Sequence, residues 1–232
     1  MPRNTPGVCL DATKLTPGVE FCYRMNLFLD IETIPAEEEK HKILQEIHAR
    51  KLADGKKVTE KFEEYLLATS FDGAFGRILC IGYATDDEPA QVFCDGEQSM
   101  LNSFWQIAKD ANLFIGFNNM DFDLRFIYQR SVINHVMPTK NLSFARYRSD
   151  PIFDIMWEWR KWSRDPSVSL DDLAKALGIP SSKGGEIEGK NVWDAYKNGK
   201  IKEICEYCKK DVEVTRAIYK KMIFTEQQKL PF

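Results

Sequence analysis

The stretch FLDIET, Phe28 to Thr33, sets two carboxylates two residues apart inside an apolar run, Asn26 to Ile31, that reads as a buried strand. Strand side chains alternate faces, so Asp30 and Glu32 share one side while Leu27, Leu29 and Ile31 take the other. An ionised carboxylate in a dry core is strongly disfavoured unless an opposite charge meets it. The fold must therefore bury one face of this strand and bring compensation to the other. A hard divalent cation resolves the repulsion, because carboxylate oxygens suit magnesium or manganese.

The rest of the chain supplies elements around that strand. RILCIGYAT (Arg77 to Thr85) and AQVFC (Ala90 to Cys94) are apolar and β-branched enough for strands, with the turn DDEP between them. A helix is expected from about Glu97 to Lys109, then a short buried strand NLFIGFN, Asn112 to Asn118. FDLRFIYQR follows as a helix with Phe122, Phe126 and Ile127 on one face. PIFDIM (Pro151 to Met156) reads as a last short strand or a helix start. SLDDLAKAL is a helix capped by Ser169 and ended by Gly178 and Pro180, and a long helix runs from about Ile201 to Ile223. Strands followed by strand-helix alternation predict an α/β fold, a mixed sheet flanked by helices.

Two segments stand apart. Residues 1–24 hold TPGV twice and little periodicity, which reads as a flexible leader, with Met25 a candidate alternative start. Residues 35–68 are rich in Glu and Lys with Ile43, Leu44 and Ile47 at helical spacing, so one or two helices form an insertion between strands. A solvated insertion is the favoured account; a cover over the FLDIET site is the sharper one. The main domain is then 25–225, with a tail at 226–232.

Composition narrows the function. No run approaches the ~20 apolar residues of a spanning helix, and residues 1–24 lack the apolar core of a secretory signal. Six cysteines in 232 residues are too sparse for a disulfide framework, so a cytoplasmic location is expected. Cys205 and Cys208 form C-x-x-C without a second pair at zinc spacing, and small buried residues are the better account. A net charge of -3 excludes a protein that coats duplex nucleic acid by bulk electrostatics. It does not exclude an enzyme whose bound cations supply charge locally.

Tyr207 and Asp211 are four apart on the last helix and share a face. Asp123 opens a helix just after a strand, where a negative charge is favoured. Such strand ends are where open α/β sheets place their sites.

DIE in the first strand, FN then FD at Phe117, Asn118, Phe122 and Asp123, and Y-x-x-x-D at Tyr207 to Asp211 occur in the order of the three motifs of the DEDD exonuclease superfamily. The tyrosine resembles the DEDDy branch, which includes ribonuclease D and the family B polymerase proofreading domains. FGRILCIGYA, IFDIM, SLDDLAKALGIP and the VWDAY before EYCKKD look like the predicted stand-alone 3'-5' exonucleases similar to the polymerase domain. The resemblance covers about Met25 to Ile223, and the leader and the helical insertion are departures from it. It implies an RNase H-like fold and a 3'-5' exonuclease acting on single-stranded nucleic acid, DNA rather than RNA. An exoribonuclease and a silent nucleic-acid-binding module are the alternatives.

The physical reading and the resemblance agree on two divalent ions, Mg2+ or Mn2+, that stabilise attacking and leaving oxygens. Asp30, Glu32, Asp123 and Asp211 are the expected metal ligands, and with Tyr207 the catalytic set. Tyr207 is expected to orient water, since a free tyrosine keeps its proton until a pH near ~10. Asn118 and Phe122 are the candidate contacts for the terminal nucleotide, although Asn often simply ends a strand.

Weaker signals remain. WEWRKWSR interleaves Trp157, Trp159 and Trp162 with basic residues, as single-strand binders do, yet Trp159 and Trp162 at helical spacing favour core packing. SSKGGEIEGK matches neither phosphate-loop pattern and reads as a flexible loop. His41, His48 and His135 match no metal spacing.

Overall fold

Apolar alternation in MNLFLDIETI gives strand β1 (Met25–Ile34), longer than the expected 26–31 because Thr33 and Ile34 continue to pair, with Ile78 and Arg77, past a bulge after Glu32. A computed structural model of the chain describes residues 25–163, 168–181, 184 and 186–225. The expected leader and tail, Arg164 of the tryptophan segment, and Ser182, Lys183 and Gly185 of the glycine loop lie outside the described residues. Two helices, α1 (His41–Ala53) and α2 (Phe62–Ala68), form the insertion and are largely solvated, since only Leu44 and His48 are buried in them. A tight turn at Thr69–Phe71 then leads into β2 (Arg77–Thr85) and β3 (Gln91–Phe93).

Helix α3 (Glu97–Ala108) returns the chain to β4 (Ala111–Gly116), and α4 (Asp123–Ile133) follows across a six-residue turn. The segment PIFDIM turns out to be both of its readings: β5 (Ile152–Asp154) passes straight into α5 (Ile155–Trp159). The chain continues through α6 (Leu170–Ala176), α7 (Val192–Lys197) and the long α8 (Ile201–Met222). Ser169 caps α6 as expected, its hydroxyl accepting the Asp172 N–H at 3.1 Å.

Among the described residues the five strands form one mixed sheet in the order β3-β2-β1-β4-β5. β1 runs antiparallel to β2 and parallel to β4, so it is central and buried on both faces. One face packs Leu27, Leu29 and Ile31 against Phe104, Trp105 and Phe126 of α3 and α4. The other packs Phe28 and Ile115 against Ile155, Leu173, Val212 and Ile218 of α5, α6 and α8. Period-two alternation puts Asp30 and Glu32 on this second side, beneath α8. No described helix is long and apolar enough to cross a membrane.

Candidate active site

The site begins with a close approach of helix to sheet. Asp30 pairs across the ladder with Gly82 of β2, and a Cβ at Gly82 would lie 2.8 Å from Cys208 Sγ and 3.0 Å from Val212 Cγ2. Absence of a side chain there lets α8 settle onto β1, and Cys208 Sγ approaches Asp30 Oδ2 at 3.4 Å. Asp211 stands one helical turn beyond Tyr207 on the same face, and both arrive over β1 together.

Asp30, Glu32 and Asp211 each present an oxygen, and these oxygens all lie within 4.8 Å of one another. Asp123 does not join that tight group: its Oδ1 accepts the Ile31 N–H at 2.9 Å, which anchors the start of α4 to β1. It is still near enough for its charge to act on Asp30 and Glu32. The four expected metal ligands therefore divide into a cluster of three with a fourth beside it.

Electrostatics expose the strain of this arrangement. Burial first, and the charges of Asp123, Asp211 and Glu32 next, hold the Asp30 carboxyl well above the ordinary range. Glu32 is raised well above its usual range by burial and then by Asp211 and Asp123. Burial also pushes Asp123 up to about 7, against the pull of its hydrogen bonds from backbone N–H groups. The charges that raise these groups are those of other carboxylates, and among the described residues Asp30, Glu32 and Asp123 have no ion-pair partner. A set of hard oxygen donors with excess negative charge fits one class of ligand, the divalent cation.

Tyr207 is partly buried, hydrogen-bonds the Asp211 carboxylate, and has its phenol pushed upward by burial and by the charges of Asp211 and Glu32. It stays protonated at neutral pH, as expected. Around the carboxylates runs a cleft of about 570 Å3 whose walls include Phe71, Phe117, Leu170, Gly189 and Lys190. Lys190 belongs to the glycine-loop segment and reaches Glu188 at 2.8 Å.

Asn118 and Phe122 are not among the residues lining that cleft. Asn118 adopts φ +60, a left-handed turn conformation that Asn tolerates, and donates its N–H to Asp154 Oδ1 at 3.1 Å. Phe122 precedes α4 with its ring 6.1 Å from that of Phe71, in an adjoining depression.

Two residues of the site went unnoticed in the sequence. Asp154, buried, accepts N–H bonds from Asn118 (3.1 Å), Met120 (2.9 Å) and Trp157 (3.2 Å), fixing the turn that carries Asp123. Burial raises its carboxyl to about 6, and the signal available was an acid in the apolar run IFDIM. Phe71, 76% exposed, is delivered to the cleft by the helical insertion, and nothing local marks it.

Other readings resolve plainly. His48 is buried, bonded to the Thr59 carbonyl at 2.7 Å and stacked on Tyr65, a structural histidine. Cys205 and Cys208 are buried with Cys80 in an apolar cluster. Trp159 and Trp162 do not share a helical face, because α5 ends at Trp159 and Trp162 turns back with φ +61.

Residues 74–229 match a family model described as a predicted 3'-5' exonuclease related to the exonuclease domain of PolB. That span holds Asp123, Tyr207 and Asp211, and it begins after Asp30 and Glu32. An uncharacterized protein of Methanocaldococcus jannaschii is 26% identical over 155 residues, which are 63% of this chain and 86% of that protein. The family B DNA polymerase of the hyperthermophilic archaeon Pyrobaculum calidifontis superposes with a TM-score of 0.61 at 16% identity. The superposition covers 87% of this chain and 25% of the polymerase, so this chain spans about a quarter of that protein, and the likeness is one of fold.

Proposed function

Because the chain belongs to the family of predicted 3'-5' exonucleases related to the exonuclease domain of PolB, we propose that it hydrolyses single-stranded nucleic acid from the 3' end, DNA in preference to RNA. The observation that carries this reading is the cluster of Asp30, Glu32 and Asp211, whose carboxylate oxygens lie within 4.8 Å of one another.

Asp30, Glu32 and Asp211 would hold one divalent ion, and Asp30 with Asp123 the second, Mg2+ or Mn2+ in either place. Bound there, such a pair offsets charge on the reacting phosphate and makes water a stronger nucleophile near neutral pH. Tyr207 keeps its proton and orients the attacking water, with its hydroxyl held by Asp211. Lys190, exposed on the cleft wall, meets a substrate phosphate, and Phe117 and Phe71 offer faces on which terminal bases stack. Asp154 acts as a positioning residue through the turn it holds.

The test is a nuclease assay on matched 5'-labelled DNA and RNA oligonucleotides with Mn2+, Mg2+ or EDTA. Stepwise shortening from the 3' end, faster on DNA, abolished by EDTA and by Asp30→Ala or Asp211→Ala, is the expected result. Cleavage that survives either substitution would overturn the assignment of the carboxylates.

A further inference from the structure

Beyond the cleft, the turn that carries Asp123 leads onto a surface of aromatic and basic side chains. Asp121 is the junction. Its Oδ2 accepts the Trp157 indole N–H at 2.9 Å, and its Oδ1 lies 3.6 Å from Arg125 and 3.9 Å from Arg146. One carboxylate thus faces two guanidiniums, both more than half exposed, so positive charge is left over at the surface.

The aromatic rings are arranged in series. Trp157 stacks on Trp162 with centroids 5.4 Å apart and planes at 14°, and Tyr147 follows at 5.2 Å from Trp162. Arg146 and Arg160 lie over the Trp157 ring at 5.7 and 4.9 Å. Trp162 packs against the core, which is its structural role. Tyr147 and Trp159 have no such role, standing 75% and 45% exposed. Lys161 is exposed too, but its ammonium pairs with Glu158 at 3.1 Å.

This surface is continuous with the cleft. Phe71 lines the cleft beside Asp30 and Tyr207, and also lines the depression formed with Asp121, Phe122 and Arg125. Asp154 ties the two regions rigidly, since it binds the N–H groups of both the 118–120 turn and Trp157. An apolar partner would leave the guanidiniums unmatched. A polyanion with flat apolar faces matches both features, because phosphates meet the cations and bases stack on the rings.

We propose that Arg125, Arg146, Tyr147 and Trp157 form a track that holds the nucleotides upstream of the 3' end of a single-stranded substrate. This rests on the exonuclease reading of the cleft and extends it. The track gives the protein a grip on longer strands that the cleft alone does not supply, so substrate length governs affinity.

The experiment compares wild type with the double variant Tyr147→Ala/Arg146→Glu, both exposed positions, after circular dichroism shows native spectra. Binding of a 5'-fluorescein oligo(dT) 12-mer is measured by anisotropy in Ca2+ over a salt series, and hydrolysis of the 12-mer and of a dT dinucleotide in Mn2+. The double variant is expected to bind the 12-mer at least tenfold more weakly, with a log–log salt slope reduced by about 1. Its kcat/KM should fall at least tenfold more on the 12-mer than on the dinucleotide. Unchanged 12-mer affinity, or equal losses on both substrates, would assign this surface to another occupant and overturn the track. Wild type that binds the 12-mer through this surface yet cleaves neither substrate would instead sink the exonuclease reading alone.

Discussion

Asp30 illustrates how a single residue sets function against stability. Its carboxyl is held protonated far above its usual range by burial and by three neighbouring acids, so in metal-free protein it strains the strand that carries it. Asp30→Asn keeps the shape and removes the charge. It should abolish nuclease activity while raising the melting temperature in EDTA near pH 8, where the acids are pressed to ionise, by about 2–4 °C for each kcal/mol relieved. Thermal denaturation of both proteins in EDTA checks this, and an unchanged or lower melting temperature would contradict the electrostatic account. Tyr207 offers a second prediction at this scale. Its phenol does not titrate near neutrality, so Tyr207→Phe should lower kcat by about tenfold or more through lost orientation of water. The basic limb of the pH–rate profile should not move, and a shift of that limb would make Tyr207 the base.

At the scale of elements, the site depends on how closely α8 lies on the sheet. Gly82→Ala would press a Cβ to 2.8 Å from Cys208 Sγ and 3.0 Å from Val212 Cγ2. Overpacking of this kind costs about 1–3 kcal/mol, and lifting α8 also carries Asp211 away from Asp30. Metal-dependent stabilisation should therefore weaken along with stability, which a Mn2+ titration followed by thermal unfolding reads. A Gly82→Ala protein with wild-type Mn2+ affinity would show that the approach is not tight. The strands and helices themselves were legible in the sequence, because β1 and β2 are apolar runs and α8 sets its apolar residues at helical spacing. The carboxylates Asp30, Glu32 and Asp211 were legible for the same reason, as charges interrupting those patterns. Asp123 was legible as the head of a helix and in the FN–FD motif, but its bond to Ile31 depends on the parallel pairing of β1 with β4, which no local pattern encodes. Phe71 and Asp154 were missed because the partners that tie them to the site, Phe122 and Asn118, lie 51 and 36 residues away in sequence.

For the whole molecule, the buried acids make stability depend on pH in a direction opposite to that of ordinary ion-paired carboxylates. Asp123 and Asp154 have folded values raised to about 7 and about 6, against 3.8 for an unperturbed aspartate. A proton held more tightly by the folded state stabilises it fully below the unfolded value. That contribution is lost as pH rises through the folded value. In EDTA these groups should therefore lower the melting temperature between about pH 4 and about pH 8. Divalent ions compete with those protons, so their binding strengthens as pH rises and adds most stability where the metal-free protein has least. At a concentration of ~100 Kd the gain is about 2.7 kcal/mol, or roughly 5–11 °C for a chain of this size. Melting curves in EDTA and in saturating Mn2+ at acidic and at mildly alkaline pH measure both effects. The expected result is a Mn2+ increment much larger on the alkaline side, on a baseline that falls with pH. Equal increments at both pH values would mean that the ion does not displace protons from Asp30, Glu32 and Asp123. The cradle of carboxylates would then have lost its physical basis.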